Sequence, residues 1–217
     1  MNLNNIGSRE IGSLMKEAFE SVDLSTLAYI YATSKSELYA RDLLASHINL
    51  NHKLPNGYFV GREWKRHDLA IVKDGTPILI VEGKANTHFD AANPHKLRVG
   101  DKSMKAAAKK DIKKSQSTLK NYYGDENAVP IIFTNLLFGI DLDPNYDLKS
   151  GQIGYAKDFR SAIKKSGDFD SLVIQGRSGL QGLLENFGDV SSIFLECGEY
   201  DGMRVVLDFY AVKVNNA

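Results

Sequence analysis

Asp68, Glu82 and Lys84 are the residues whose types and spacing could do chemistry together. Asp68 precedes the apolar run Leu-Ala-Ile-Val, and Glu82 and Lys84 close the run Ile-Leu-Ile-Val-Glu-Gly-Lys. Strand positions two apart share a face, so Glu82 and Lys84 project together. Charged groups at the end of a buried strand are costly unless they are paired or bound to a metal. Hard carboxylate oxygens hold Mg²⁺, which polarises a phosphoryl oxygen and lowers the pKa of water. An adjacent ammonium orients that water and offsets charge growing on phosphorus. Such a set suits phosphodiester hydrolysis with neither carboxylate as nucleophile. The competing reading is a hairpin with a terminal ion pair, Glu82 to Lys84 or Asp68 to Arg66.

The elements that must position these groups follow from periodicity. Ile11, Leu14, Met15, Ala18 and Phe19 predict an amphipathic helix over residues 8–20. Ser34 with Glu37 fits a capping box opening a second helix, whose apolar face runs from Leu38 to Ile48. Residues 51–57 read as a loop, and Tyr58–Trp64 as a strand. Leu69–Val72 and Ile78–Val81 form a hairpin around Asp74-Gly75. A two-residue loop there sets Asp68 opposite Val81, on the wrong face relative to Glu82. Convergence of the two acids therefore demands a longer loop or a bulge. Residues 102–123 read as a long helix and Val129–Phe138 as a buried strand. Beyond the acidic loop Asp141–Asp147, Leu172–Gln175, Ile193–Cys197 and Arg204–Val214 read as strands, the last two joined through Tyr200, Asp201 and Gly202.

With these elements in place, Asp68, Glu82-Gly83-Lys84 and the strand Val-Pro-Ile-Ile-Phe-Thr-Asn resemble the PD-(D/E)XK nuclease superfamily over roughly residues 34–138. Position 67 is His where the family name has Pro. The resemblance implies an α/β fold: a restriction-endonuclease-like mixed sheet with an αβββαβ core flanked by helices. It implies a single domain, with residues 1–33 as an N-terminal helical element, 34–138 as the catalytic core and 139–217 as a C-terminal extension carrying β structure. It further implies a Mg²⁺-dependent endonuclease cutting DNA, with Mn²⁺ substituting, of restriction or defence type. The alternatives are a repair, recombination or transposon-end nuclease, or a decayed binding module. Asp68, Glu82 and Glu37 are the implied metal ligands, Lys84 and Gln116 the other site residues. Glu37 keeps a local alternative, since the capping box explains it and Arg41 stands one turn on as a partner. One site per chain and two strands to cut favour a homodimer, through the N-terminal helices or the C-terminal hairpin.

Charge distribution bears on the partner. The chain balances 27 basic against 27 acidic residues, yet residues 96–120 carry nine Lys/Arg against Asp101 and Asp111. On a helical wheel Lys102, Lys105, Lys109, Lys113, Gln116 and Lys120 share a stripe about 80° wide, a candidate DNA-contacting face; the competing reading is a solvated helix face. His47 and His52, with Asn49 and Asn51 between them, look superficially like a His-Asn-His nuclease motif, but that motif needs a ββα setting. His88 and His95 read as surface-loop residues, Asp141, Asp143 and Asp147 lack the spacing of a calcium loop, and Cys197 reads as core. No apolar run approaches the ~20 residues of a membrane span. One cysteine and no secretory signal predict a cytoplasmic protein.

Overall fold

The computed structural model describes residues 6–34, 37–52, 54–126 and 128–215. Helices α1 (Ser8–Glu20), α2 (Leu24–Thr33) and α3 (Glu37–Asn51) precede strands β1 (Tyr58–Trp64), β2 (His67–Lys73) and β3 (Thr76–Thr87). Two short helices, α4 (His88–Ala91) and α5 (Pro94–Arg98), lead to the long α6 (Met104–Tyr123) and then β4 (Ile131–Ile140). Helices α7 (Ala156–Ser166) and α8 (Phe169–Leu184) and the hairpin β5 (Gly188–Tyr200) and β6 (Met203–Val214) complete the chain. Among the described residues, no helix is long and apolar enough to cross a membrane.

The strands form one mixed sheet in the order β1-β2-β3-β4-β6-β5. Only β3 and β4 pair in parallel, and a parallel pair needs a long crossover, which α4–α6 supply. Every residue of β4 is buried because both faces of the sheet are covered. Ile132, Leu136, Phe138 and Ile140 pack with α1–α3. Phe133 and Leu137 face the other way, onto α5, α6 and α8. The C-terminal hairpin is therefore no appendage: β6 pairs along β4 from Lys213 to Val205 and carries core on both faces.

Two elements correct the sequence expectations. Leu172–Gln175 is not a strand but lies within α8, whose buried positions Phe169, Leu172, Val173, Gly176, Leu180 and Leu183 keep helical spacing. Gly176, Gly179 and Gly182 lower helix propensity there and hide it from pattern reading. Gly176 is needed for close approach: a Cβ would fall 2.9 Å from the His88 carbonyl oxygen. Ser34 ends α2, and its hydroxyl donates to the Ile30 carbonyl; the residues between it and α3 lie outside the described ones.

His88 is fully buried rather than a surface-loop residue. Its Nε2 lies 2.8 Å from Asp208 Oδ2, and Arg177 donates to both Asp208 oxygens at 2.7 and 2.8 Å. Burial alone would push the Asp208 carboxyl up; His88 and Arg177 outweigh it and hold the group below the usual carboxylate range. This network ties β6 to α4 and α8. Cys197 is core as expected, its thiol pushed up to about 12 by burial.

Candidate active site

The β2–β3 hairpin meets the register demand with a bulge. Asp74 (φ 47°) and Gly75 (φ 81°) form a two-residue turn closed by Lys73 opposite Thr76, the conformation of a type I′ hairpin. That spacing alone puts Asp68 opposite Val81. A register shift between Ile71 and Val72 adds the missing residue, so that Leu69 faces Val81 and Asp68 falls at the level of Glu82.

Pairing between β2 and β3 runs only as far as Leu69 and Val81, while β3 continues along β4 to Thr87. The Ile80 N–H points to β4, donating to the Pro130 carbonyl, so the alternate amides of Gly83 and Ala85 point to the side that β2 has vacated. Buried amides need acceptors. Asp68 Oδ2 takes the Gly83 N–H at 2.8 Å, and the Ala85 amide helps to lower the Glu37 carboxyl. Asp68 thus stands in for part of the missing stretch of β2. Gly83 suits this crowded edge, since a Cβ would meet Thr134 Oγ1 at 3.1 Å.

Lys84 stands between acids, its Nζ 2.9 Å from Asp111 Oδ2 and 3.8 Å from Glu37 Oε1. Glu37, Arg41, Asp68, Gly83, Lys84 and Thr134 share one pocket. Burial raises the Glu37 carboxyl, with Lys84 pulling it down and Asp68 and Asp111 adding repulsion. Burial likewise raises Asp68, against the Gly83 amide and with Glu82 adding repulsion. Lys84 moves up: burial pulls it down, but Asp111 and Glu37 outweigh that and keep it an ammonium. Arg41 does not pair with Glu37; it binds Asp42 and Glu63.

Glu82 behaves differently. It is 2% exposed, and its Oε1 accepts from His67 Nδ1, from Lys114 Nζ at 3.1 Å and from Ser115 Oγ at 3.2 Å. Burial pushes its carboxyl up, yet His67 and Lys114 hold it below its ordinary value. Lys114 also donates to the Arg66 carbonyl in the β1–β2 turn, where Lys65 and Arg66 adopt positive φ, as does Glu63 near the end of β1, uncommon for non-glycine residues.

Of the expected ligands, Asp68 and Glu37 face the pocket with Lys84, while Glu82 belongs to the network on α6. Asp68 and Glu37 are the two pocket carboxylates whose hard oxygen donors could hold an ion such as Mg²⁺. Glu82 does not join them: among the described residues, the one group of three or more His/Cys/Asp/Glu with ligand atoms within 4.8 Å of one another is Glu17, His47 and His52.

Helix α6 reaches the site through Asp111, Lys114 and Ser115, not through Gln116. At 100° per residue the flank bearing Asp111 and Lys114 lies about 170° from the stripe of Lys105, Lys109, Lys113, Gln116 and Lys120. Lys102 precedes the helix, outside the stripe, and Lys120 lies 3.9 Å from Glu126. The stripe therefore does not lead toward Asp68. Sequence reasoning missed Asp111 because it counted that residue only as a charge within the basic band. It missed the role of His67 because it weighed position 67 only against a proline. No protein-family model, curated protein or solved structure matches this chain.

Proposed function

We propose that the chain is a Mg²⁺-dependent endonuclease hydrolysing DNA phosphodiester bonds, on a restriction-endonuclease-like core. The observation that carries this reading is the meeting of Asp68, Glu37 and Lys84 in one pocket at the free edge of β3. Asp68 and Glu37 would hold the ion, which supplies polarisation of the phosphoryl oxygen and acidified water. Lys84, kept charged by Asp111 and Glu37, attracts the phosphate and offsets negative charge as water adds to phosphorus and the ester P–O bond breaks. The order helix, three strands, helices and strand, with β3 parallel to β4, supports the same reading.

A second reading has its own observation. Glu82 is committed to His67, Lys114 and Ser115, as befits a nuclease scaffold retained as a DNA-binding module.

Plasmid nicking by wild type, Asp68→Asn and Lys84→Ala, with Mg²⁺ or EDTA, separates the two. Mg²⁺-dependent nicking lost in both variants is expected. Nicking that survives in them overturns the site, and DNA binding without any nicking favours the module. Discrete fragments mark a restriction-type enzyme, whereas cutting at branched or damaged structures marks a repair or recombination one. Duplex cutting by one site per chain calls for two copies, checked by light scattering with and without DNA.

A further inference from the structure

The C-terminal end of α3 brings together groups that the proposed nuclease site does not use. His47 lies in the last turns of α3, His52 follows its last residue, and Glu17 projects from α1. His47 Nε2 and His52 Nε2 each lie 3.4 Å from the same atom, Glu17 Oε2. All three ligand atoms lie within 4.8 Å of one another. We propose that Glu17, His47 and His52 form a binding site for a divalent transition ion of the Zn²⁺ class, clasping α1 to the end of α3.

The separations suit a shared cation as well as a long hydrogen bond. His47 Nε2 and Glu17 Oε2 are within bonding reach of each other, at the long end beyond the usual N–H···O span of about 2.7–3.2 Å. Tetrahedral Zn²⁺ with bonds of about 2.0–2.1 Å has ligand–ligand edges of about 3.3–3.4 Å, which both observed separations match. His52 Nε2 is a buried ring nitrogen with no hydrogen-bond partner among the described residues. Glu17 Oε1 accepts from Ser13 at 3.4 Å, leaving Oε2 to face both imidazoles.

The outer contact of His47 turns on one amide. Asn51 Nδ2 sits 2.9 Å from His47 Nδ1, an arrangement in which Nδ1 accepts and Nε2 carries the proton. Metal binding through Nε2 requires a half-turn of that amide, which offers its oxygen to an Nδ1–H and frees the Nε2 lone pair. The carbonyl end of a helix also favours positive charge. Two imidazoles and one carboxylate suit Zn²⁺ and its neighbours rather than Mg²⁺. Glu17 is 48% exposed, which leaves a route for the ion and for water as fourth ligand. From Glu37 to His52 the helix rises about 20 Å, so this site is separate from the pocket around Asp68.

The test uses the untagged chain stripped with EDTA and titrated with Zn²⁺ against a chromophoric chelator. Wild type and Asp68→Asn are expected to bind one equivalent that Glu17→Gln and His52→Gln lose, with a Zn²⁺-dependent rise in Tm that follows the same pattern. Co²⁺ should give the visible absorption of a tetrahedral site in wild type only where Zn²⁺ binds. Both variants alter exposed or partly exposed side chains, and far-UV circular dichroism checks their folding. Equal stoichiometry in wild type and the two variants, or loss in Asp68→Asn alone, would overturn the proposal. Neither outcome depends on whether DNA is cut.

Discussion

Replacing Glu82 with Gln keeps its shape and its acceptor oxygen while removing the charge, so the change isolates what the buried carboxylate contributes. Hydrogen bonds to charged groups contribute about 1.5–3 kcal/mol and neutral ones about 0.5–1.5 kcal/mol. Each bond that loses its charge therefore weakens by roughly 1–1.5 kcal/mol. His67 is fully buried, so no water replaces what that bond loses, whereas Lys114 is 39% exposed and its share is discounted for solvent screening. The net expectation is about 1.5–2 kcal/mol. For a chain of 217 residues each kcal/mol moves Tm by about 2–4 °C, giving a fall of about 3–8 °C.

The pH dependence has a definite sign. The folded-state pKa of Glu82 is depressed, so its stabilisation is present above the ordinary glutamate value of about 4.3 and is lost as pH falls through the folded value. Thermal melts followed by circular dichroism should show the full gap at pH 7, narrowing in acid. A Tm within about 1 °C of wild type at pH 7, or a gap that widens in acid, refutes the assignment of Glu82 as a charged anchor. The variant also informs the chemistry: a lowered Tm with Mg²⁺-dependent nicking intact would make Glu82 a structural anchor, outside the reaction.

Three further outcomes are expected. Burial raises Glu37 and Asp68, so protons compete with Mg²⁺ at higher pH than for ordinary carboxylates near 4; the Mg²⁺ concentration for half-maximal nicking should climb from a midpoint above that value, and a midpoint at or below it counts against the pocket. Paired Lys109→Ala and Lys113→Ala changes should lower the salt slope of duplex binding by about 2 if the stripe meets phosphates, yet leave nicking by saturating protein intact because the stripe lies away from Asp68; slowed nicking at saturation contradicts that geometry. Gly179→Ala drives a methyl into the Ala91 carbonyl where α8 meets α4, for an expected loss of about 1–3 kcal/mol; an unchanged denaturation midpoint means the helices part without cost.

By itself the sequence determined the elements whose signals are local. The apolar runs and turn residues defined β2 and β3, the 3.6-residue period defined α1 and α6, and Asp68, Glu82 and Lys84 could be picked out because each stands at the edge of an apolar run. The parity of the hairpin even showed that an extra residue was required, and the bulge between Ile71 and Val72 supplies it. Local patterns failed where glycine hid a helix, as in α8, and where Ser34 could serve either of two helix ends.

Only the tertiary structure decided where the charges point. Strand parity put Asp68, Glu82 and Lys84 on common ground, but the early end of β2 drew Asp68 onto the bare Gly83 amide of β3, while α6 drew Glu82 to His67, Lys114 and Ser115. Asp111 and the cluster of Glu17, His47 and His52 join residues from different elements, whose proximity depends on packing rather than spacing. A side chain's face is a property of its own strand or helix; its partner belongs to whichever element the core brings alongside.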